Sequence, residues 1–318
     1  MEFIESLFKL KDHKTSFKKE VLAGLATFLT MAYIMVVNPA ILSETGMDFD
    51  SVFVATILAS FVACMLMGVL ANWPVALAPG MGLNAFFTYA VVFGMGFTWQ
   101  QALAAVFCSG ILFLIISISP LRAYLINAIP RSLKFGIGAG IGLFLAIIGL
   151  KNAGIVVDNP ATLVGLGDLK SAPVLLALLT FTLMIALDKL KIPGAIVISI
   201  LATTVLGFIF GVAQFQGFAS SIPSMSPTFM QLDFSSIGSS LFLIVIFTIL
   251  FVDFFDTAGT LTSVANLSGK VDKDGNVENI QKAVFSDSIA TIVGSIFGTS
   301  NTTSYIESGA GIKEGGKT

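Results

Sequence analysis

The sequence predicts an all-α polytopic membrane protein, and three observations carry that prediction. Apolar residues make up 55% of the 318 positions and Asp, Glu, Lys and Arg only 11%, against about 25% charged in soluble domains. So little charge does not cover a water-exposed surface. From Ser51 through Leu121 no Asp, Glu, Lys, Arg or His occurs, a stretch several times the roughly 20 residues with which one helix crosses a bilayer. Unpaired backbone groups cost several kcal/mol each in hydrocarbon, which leaves helices or closed barrels, and long unbroken apolar runs select helices.

The first 20 residues, MEFIESLFKLKDHKTSFKKE, form an amphipathic arm that runs into a full-length apolar segment with no small-residue cleavage site. The arm is therefore not a removable signal peptide, and Val21 to Leu42 is a retained first span. Apolar runs between turn signals place the others near 52–71, 75–93, 99–119, 133–150, 172–187, 193–213, 238–266, 283–299 and 303–312. With the N-terminus inside, all of the 17 basic residues except Lys151 and Lys170 fall on the cytoplasmic side, as the positive-inside rule requires. That count predicts ten spans in the cytoplasmic membrane, a cytoplasmic loop at Gly269 to Gln281 and an external loop at Gln214 to Leu232.

Two of these spans are not ordinary helices. The third reads VALAPGMGLNAFFTYA, with Pro79, Gly80 and Gly82 where an unbroken helix would lose hydrogen bonds. The tenth, GTSNTTSYIESGAGI, is too polar and too short to cross as a helix. Interrupted segments survive at membrane depth where protein buries them or where they line a cavity, and matching interruptions in two halves mark the substrate site of inverted-repeat transporters. Residues 17–215 then supply seven spans of one repeat. The second stops after three, so a chain ending at Thr318 is expected to be a fragment of a longer transporter.

Three intramembrane acids are functional candidates. Asp253 and Asp256, three apart on one side of a helix, follow a long uncharged run, and an acid at that depth is costly enough to need a reason. Glu307 is the acid of the tenth span, beside Tyr305. Asn84 follows the Pro-Gly interruption and offers both donor and acceptor to a flat polar ligand. Asp287, at the start of the ninth span and near the cytoplasmic surface, is expected to be structural, as an acid near a helix N-terminus needs little explanation.

Other patterns are declined. Gly311-Ile-Lys-Glu-Gly-Gly-Lys-Thr satisfies the phosphate-loop spacing but follows a membrane segment instead of a strand. The glycines at 136, 138, 140 and 142 are packing faces within a span, and Asp272-Lys-Asp-Gly-Asn lacks the ligands of a calcium loop. Cys64 and Cys108 stand singly, and His13 is the sole histidine, so neither a metal site, a cofactor nor an enzyme's nucleophile and base is expected. No basic face for nucleic acid is present.

At TFLTMAYIMVVNPAIL (27–42), ALAPGMGLNAFFTY (76–89), FVDFFDTAGTL (251–261) and GTSNTTSYIESGAGIKEGGKT (298–318) the chain resembles the AzgA-like purine permeases of the nucleobase:cation symporter superfamily. The resemblance implies fourteen spans in two inverted repeats of seven. It assigns spans 1–4 (21–119) and 8–10 (238–318) to a core domain and spans 5–7 (120–237) to a gate domain. The third and tenth spans would each begin with a short strand and meet at the substrate. It further implies import of guanine, hypoxanthine or adenine with a proton, Na⁺ being the less favoured ion. Asn84 of GLNAFF, Asp256 of DTAGT and Glu307 of YIESGAG match the family's substrate positions, with Asp253 close behind and Gly82 and Tyr305 in the same two motifs. Thr260 stands where uracil permeases carry a second polar residue. Asp256 and Glu307 are expected to couple the proton, and Phe86, Phe87, Phe254 and Phe255 are candidates to stack on the base. Expected partners are thus a purine nucleobase, a proton, the lipid bilayer and, as one arrangement, a second copy in a homodimer. The alternative is a cation channel using the same acids.

Overall fold

The computed structural model of the chain describes residues 2–119, 131–192, 194–214, 217, 221–271 and 277–318. Among these, five helices are long and apolar enough to cross a membrane: Phe17–Ser43, Phe49–Ala71, Trp99–Ile118, Ala172–Lys189 and Ser240–Ser268. Met81–Gly94 and Ala195–Ile209 are shorter apolar helices, and Arg131–Asn152 and Ile280–Phe297 complete the set of long ones. Arg122, the turn from Asp272 to Asn276 and part of the expected external loop, at 215–216 and 218–220, lie outside the described residues.

Helix starts follow capping chemistry. Ser16 accepts from the Lys19 N–H, so the first span begins at Phe17, four residues before the apolar run suggests. Asp48 accepts from the Ser51 N–H, Thr98 and Gln101 form a reciprocal capping box, and Ser239 accepts from the Phe242 N–H. Each satisfies a donor that the first turn of a helix leaves unpaired. The long helix from Ser240 ends at Gly269, whose φ of 72° favours glycine.

The described residues fall into two compact units, Met1–Gly136 with Pro223–Thr318, and Ile137–Ile222. In the second, helices Ala172–Lys189 and Ala195–Ile209 pack together. A hairpin of β2 (Val156–Asn159) and β3 (Leu163–Leu166), with Val156 opposite Leu166, lies between Lys151 and Lys170. The hydropathy reading left that segment as a plain loop.

In the first unit, Ile280–Phe297 is the central element, packed on Trp99–Ile118 and Phe49–Leu66. Contact there is close: a Cβ on Gly110 would lie 2.9 Å from Ile292 Cγ1 and 3.2 Å from the Ile292 backbone nitrogen. The third span opens as strand β1 (Leu77–Pro79), turns at Gly80 into a short helix, Met81–Ala85, and widens into π-helical turns over Phe86–Gly94. The tenth opens as β4 (Thr302–Ser304) and continues as Ser308–Lys313. β1 and β4 pair antiparallel, Leu77 opposite Ser304 and Pro79 opposite Thr302. Both interrupted segments thus meet through a two-stranded sheet.

A two-stranded sheet leaves two edges unpaired, and at membrane depth such groups need partners. Side chains from neighbouring helices supply them. Along β1, the Cys64 sulfur accepts from the Leu77 N–H at 3.2 Å and donates to its carbonyl at 3.4 Å. Along β4, Asp287 accepts from the Ser304 N–H at 3.0 Å, and Thr291 donates to the Thr302 carbonyl at 3.0 Å. Cys64 is a packing residue, as expected of a lone cysteine, with the added task of closing a strand edge.

Candidate functional site

The site is built around the β1–β4 pair. The two segments approach closely at Gly80, where a Cβ would sit 2.8 Å from Thr303 Cγ2 and displace that side chain. Its N–H reaches the Asn301 carbonyl at 2.9 Å, and the Tyr305 N–H reaches the Ala76 carbonyl at 2.9 Å, so the strands are tied beyond both ends of their register. The Tyr305 hydroxyl is buried and donates to the Pro79 carbonyl. Tyr305 therefore fastens the two interrupted spans together.

Four acids surround this pair, and the structure divides them. Asp253 is 1% exposed; its Oδ2 accepts from Asn301 Nδ2 at 2.9 Å and Thr291 Oγ1 at 3.1 Å, while Oδ1 is buried without a partner among the described residues. Asp287 is fully buried and accepts from Thr257 Oγ1 at 3.0 Å and from both the N–H and the hydroxyl of Ser304. The helix begins at Ile280, three residues before the expected start of the ninth span, so position 287 lies two turns in and faces β4. The structural role assigned to it stands, with β4 as the partner that sequence spacing does not reveal.

Asp256 and Glu307 differ from these two in remaining partly exposed. Asp256 Oδ2 has one long contact, Thr303 Oγ1 at 3.4 Å. Glu307, at the start of the Ser308–Lys313 helix, accepts at Oε1 from the Tyr33 hydroxyl at 3.0 Å. Thr260 is one turn beyond Asp256 on the same helix and partly exposed.

Asn84 is brought near the sheet but faces another network. It is fully buried and its Nδ2 donates to Asn38 Oδ1 at 3.0 Å; Asn38 in turn donates to Thr56 at 2.7 Å and Thr299 at 2.8 Å. Asn84 Oδ1 has no partner among the described residues. Gly82, in the same short helix, is partly buried. Of the four aromatic candidates, Phe87 and Phe254 are core residues at 1% and 3% exposure, Phe254 standing edge-on to Phe113. Phe86 and Phe255 stay partly exposed.

Sequence reading missed Tyr33, Asn38, Asn301 and Thr303. A hydroxyl or amide in a span carries too little desolvation cost to stand out as a carboxylate does. The phosphate-loop spacing at the end of the chain also has a structural answer. The N–H groups of Lys317 and Thr318, which such a loop would turn toward phosphate, donate to the Glu20 carboxylate at 3.0 and 3.2 Å.

Compared with known families, residues 18–318 match the one described as the Permease family. The chain belongs to that family. The permease is thus a transporter and not an enzyme, and the resemblance read from its four sequence blocks is borne out. It is 45% identical to the guanine/hypoxanthine permease PbuO of Bacillus subtilis over 98% of this chain and 73% of that protein. It is 44% identical to the adenine permease AdeP of Escherichia coli over 99% and 71%. Among solved structures, the transmembrane domain of the cyanobacterial bicarbonate transporter BicA superposes with a TM-score of 0.65 at 16% identity, covering 95% of this chain and 79% of that one. Murine Slc26a9, an anion transporter in the inward-facing state, gives 0.64 at 12% identity, covering 100% and 57%. At those identities the likeness is one of fold, that of a helical membrane transporter.

Proposed function

We propose that the permease imports purine nucleobases, binding the base between Asp256 and Glu307 and coupling its movement to a proton carried by the same acids. The observation that carries this reading is the division among the four carboxylates. Asp253 and Asp287 are closed off, Asp287 bonded through both oxygens and Asp253 through Oδ2 alone, whereas Asp256 and Glu307 are partly exposed and lightly bonded. A purine presents ring N–H donors that a carboxylate accepts, and ring nitrogens that hydroxyl or amide donors satisfy. Relatives named for guanine/hypoxanthine and for adenine, at nearly equal identity, support a purine as the cargo. Gly82, Asn84, Asp253, Thr260 and Tyr305 complete the proposed site, as its scaffold or its walls, and of the four phenylalanines Phe86 and Phe255 stay partly exposed. In this reading the fold is the fourteen-span inverted repeat with core and gate domains.

The test is uptake of labelled hypoxanthine by cells expressing the full-length protein. Saturable accumulation, competed by unlabelled purines and abolished by an uncoupler, is the expected result. Flux that follows membrane voltage without saturating would replace the symporter with a channel.

In the same reading the N-terminus is cytoplasmic and the protein spans the plasma membrane. Large apolar side chains on the spans face outward, Phe61 and Phe181 each at 62% and Ile209 at 70% exposure, a surface suited to lipid and not to water. The Ala172–Lys189 helix has 18 residues, about 27 Å of rise, enough to separate its flanking lysines across a bilayer. Single cysteines at Lys170 and Lys189 should label from outside and inside respectively in intact cells. Labelling of both from one side would overturn the assigned topology.

A further inference from the structure

The first span is the part of the site that its chemistry leaves unexplained. Its hydrogen-bond pattern is interrupted at Ala32 and Tyr33, between Phe17–Met31 and Ile34–Ser43, while both residues keep right-handed helical dihedrals. At the interruption Met31 and Ile34 pack against Ala78 of β1 and against Tyr305. There the Tyr33 hydroxyl meets Glu307 Oε1 at 3.0 Å, while Thr30 Oγ1 contacts the Glu307 carbonyl at 3.4 Å.

Below that contact, the first helix and the tenth half-helix run together without slack. A Cβ on Gly311 would lie 2.3 Å from Thr27 Oγ1 and 2.4 Å from the Ala23 carbonyl oxygen, and one on Gly316 2.9 Å from Ala23 Cβ. At the far end, the Glu20 carboxylate holds the N–H groups of Lys317 and Thr318 and itself accepts from Thr15 Oγ1 at 2.6 Å. This seam holds the backbone that carries Tyr33 against the segment that carries Glu307.

We propose that Tyr33 is a positioning and selectivity residue, whose hydroxyl occupies one oxygen of Glu307 and so presents the other, Oε2, as the acceptor for a base N–H. The idea rests on the proposed role of Glu307. A carboxylate with both oxygens free would rotate and accept from many directions; one oxygen held by a phenol leaves a single directed acceptor. The titratable groups around that carboxylate are Tyr33 on the first span, Asp256 on the Ser240–Ser268 helix and Tyr305 on its own segment.

A double-variant cycle on the full-length protein decides it, reading hypoxanthine binding and the pH profile of uptake. Tyr33→Phe is expected to weaken binding about fivefold or more and to shift the pH profile. In a Glu307→Gln background the same change should cost less than about twofold. Tyr33→His, which restores a donor, should recover part of the loss, and Tyr33→Leu, which like phenylalanine has no donor, replaces Tyr33→Phe in the cycle if the phenylalanine variant fails to reach the membrane. Losses that multiply in the double variant, or a single Tyr33 variant with normal binding and pH profile, would overturn the inference. Normal binding by Glu307→Gln alone would instead remove the proposed site, which keeps the two failures apart.

Discussion

Asp256→Asn should lower purine affinity by about 1–3 kcal/mol, roughly five- to two-hundredfold, with little loss of folded protein. The substitution keeps the volume but places an NH₂ group where the base requires an acceptor, leaving two donors facing each other. Stability should hold because Asp256 is partly exposed and gives up a single long contact, that with Thr303 at 3.4 Å. Glu307→Gln separates two roles: a pure ligand loses affinity, whereas a proton carrier also loses accumulation and the response of uptake to external pH. Equilibrium binding of labelled hypoxanthine beside concentrative uptake makes the distinction. Near-normal values for both variants would leave these acids structural and the site would have to be sought elsewhere.

Asp287→Ala should instead destroy the fold around the sheet. The change strands two buried donors, the N–H and hydroxyl of Ser304, and leaves the Thr257 hydroxyl only Thr303 Oγ1 at 3.2 Å, at about 1–3 kcal/mol for each group left unsatisfied. Losses of that size approach the whole margin of a typical domain, roughly 5–15 kcal/mol. Asp287→Asn keeps one acceptor oxygen and should fall between alanine and wild type. Thermal loss of the monodisperse peak of purified protein in detergent, followed by size exclusion, measures the effect. An alanine variant as heat-resistant as wild type would show that Asp287 does not hold β4 in place.

The membrane fold was legible because its cause is local. Excluding charge from whole segments is a property of composition, and the penalty for unpaired backbone in lipid leaves helices as the outcome. Pro79 and Gly80 announced the interruption of the third span for an equally local reason, a lost hydrogen bond and a residue with no Cβ to clash against Thr303. Asp253, Asp256 and Glu307 stood out since a carboxylate in a span is expensive wherever the chain later folds.

What only the tertiary structure decided is which of these groups is spent and which is free. Sequence spacing put Asp253 and Asp256 on one side of a helix, yet the first is sealed by Thr291 and Asn301 and the second stays open. It put Asn84 beside the interruption but not against Asn38, a partner 46 residues away. It gave no sign that Tyr33 meets Glu307 across 274 residues, or that Asp287 serves a strand. The cost of placing a charge in hydrocarbon belongs to one residue and is written in its neighbours along the chain. Its compensation belongs to a pair, and the second member is chosen by how β1 and β4 bring distant segments together.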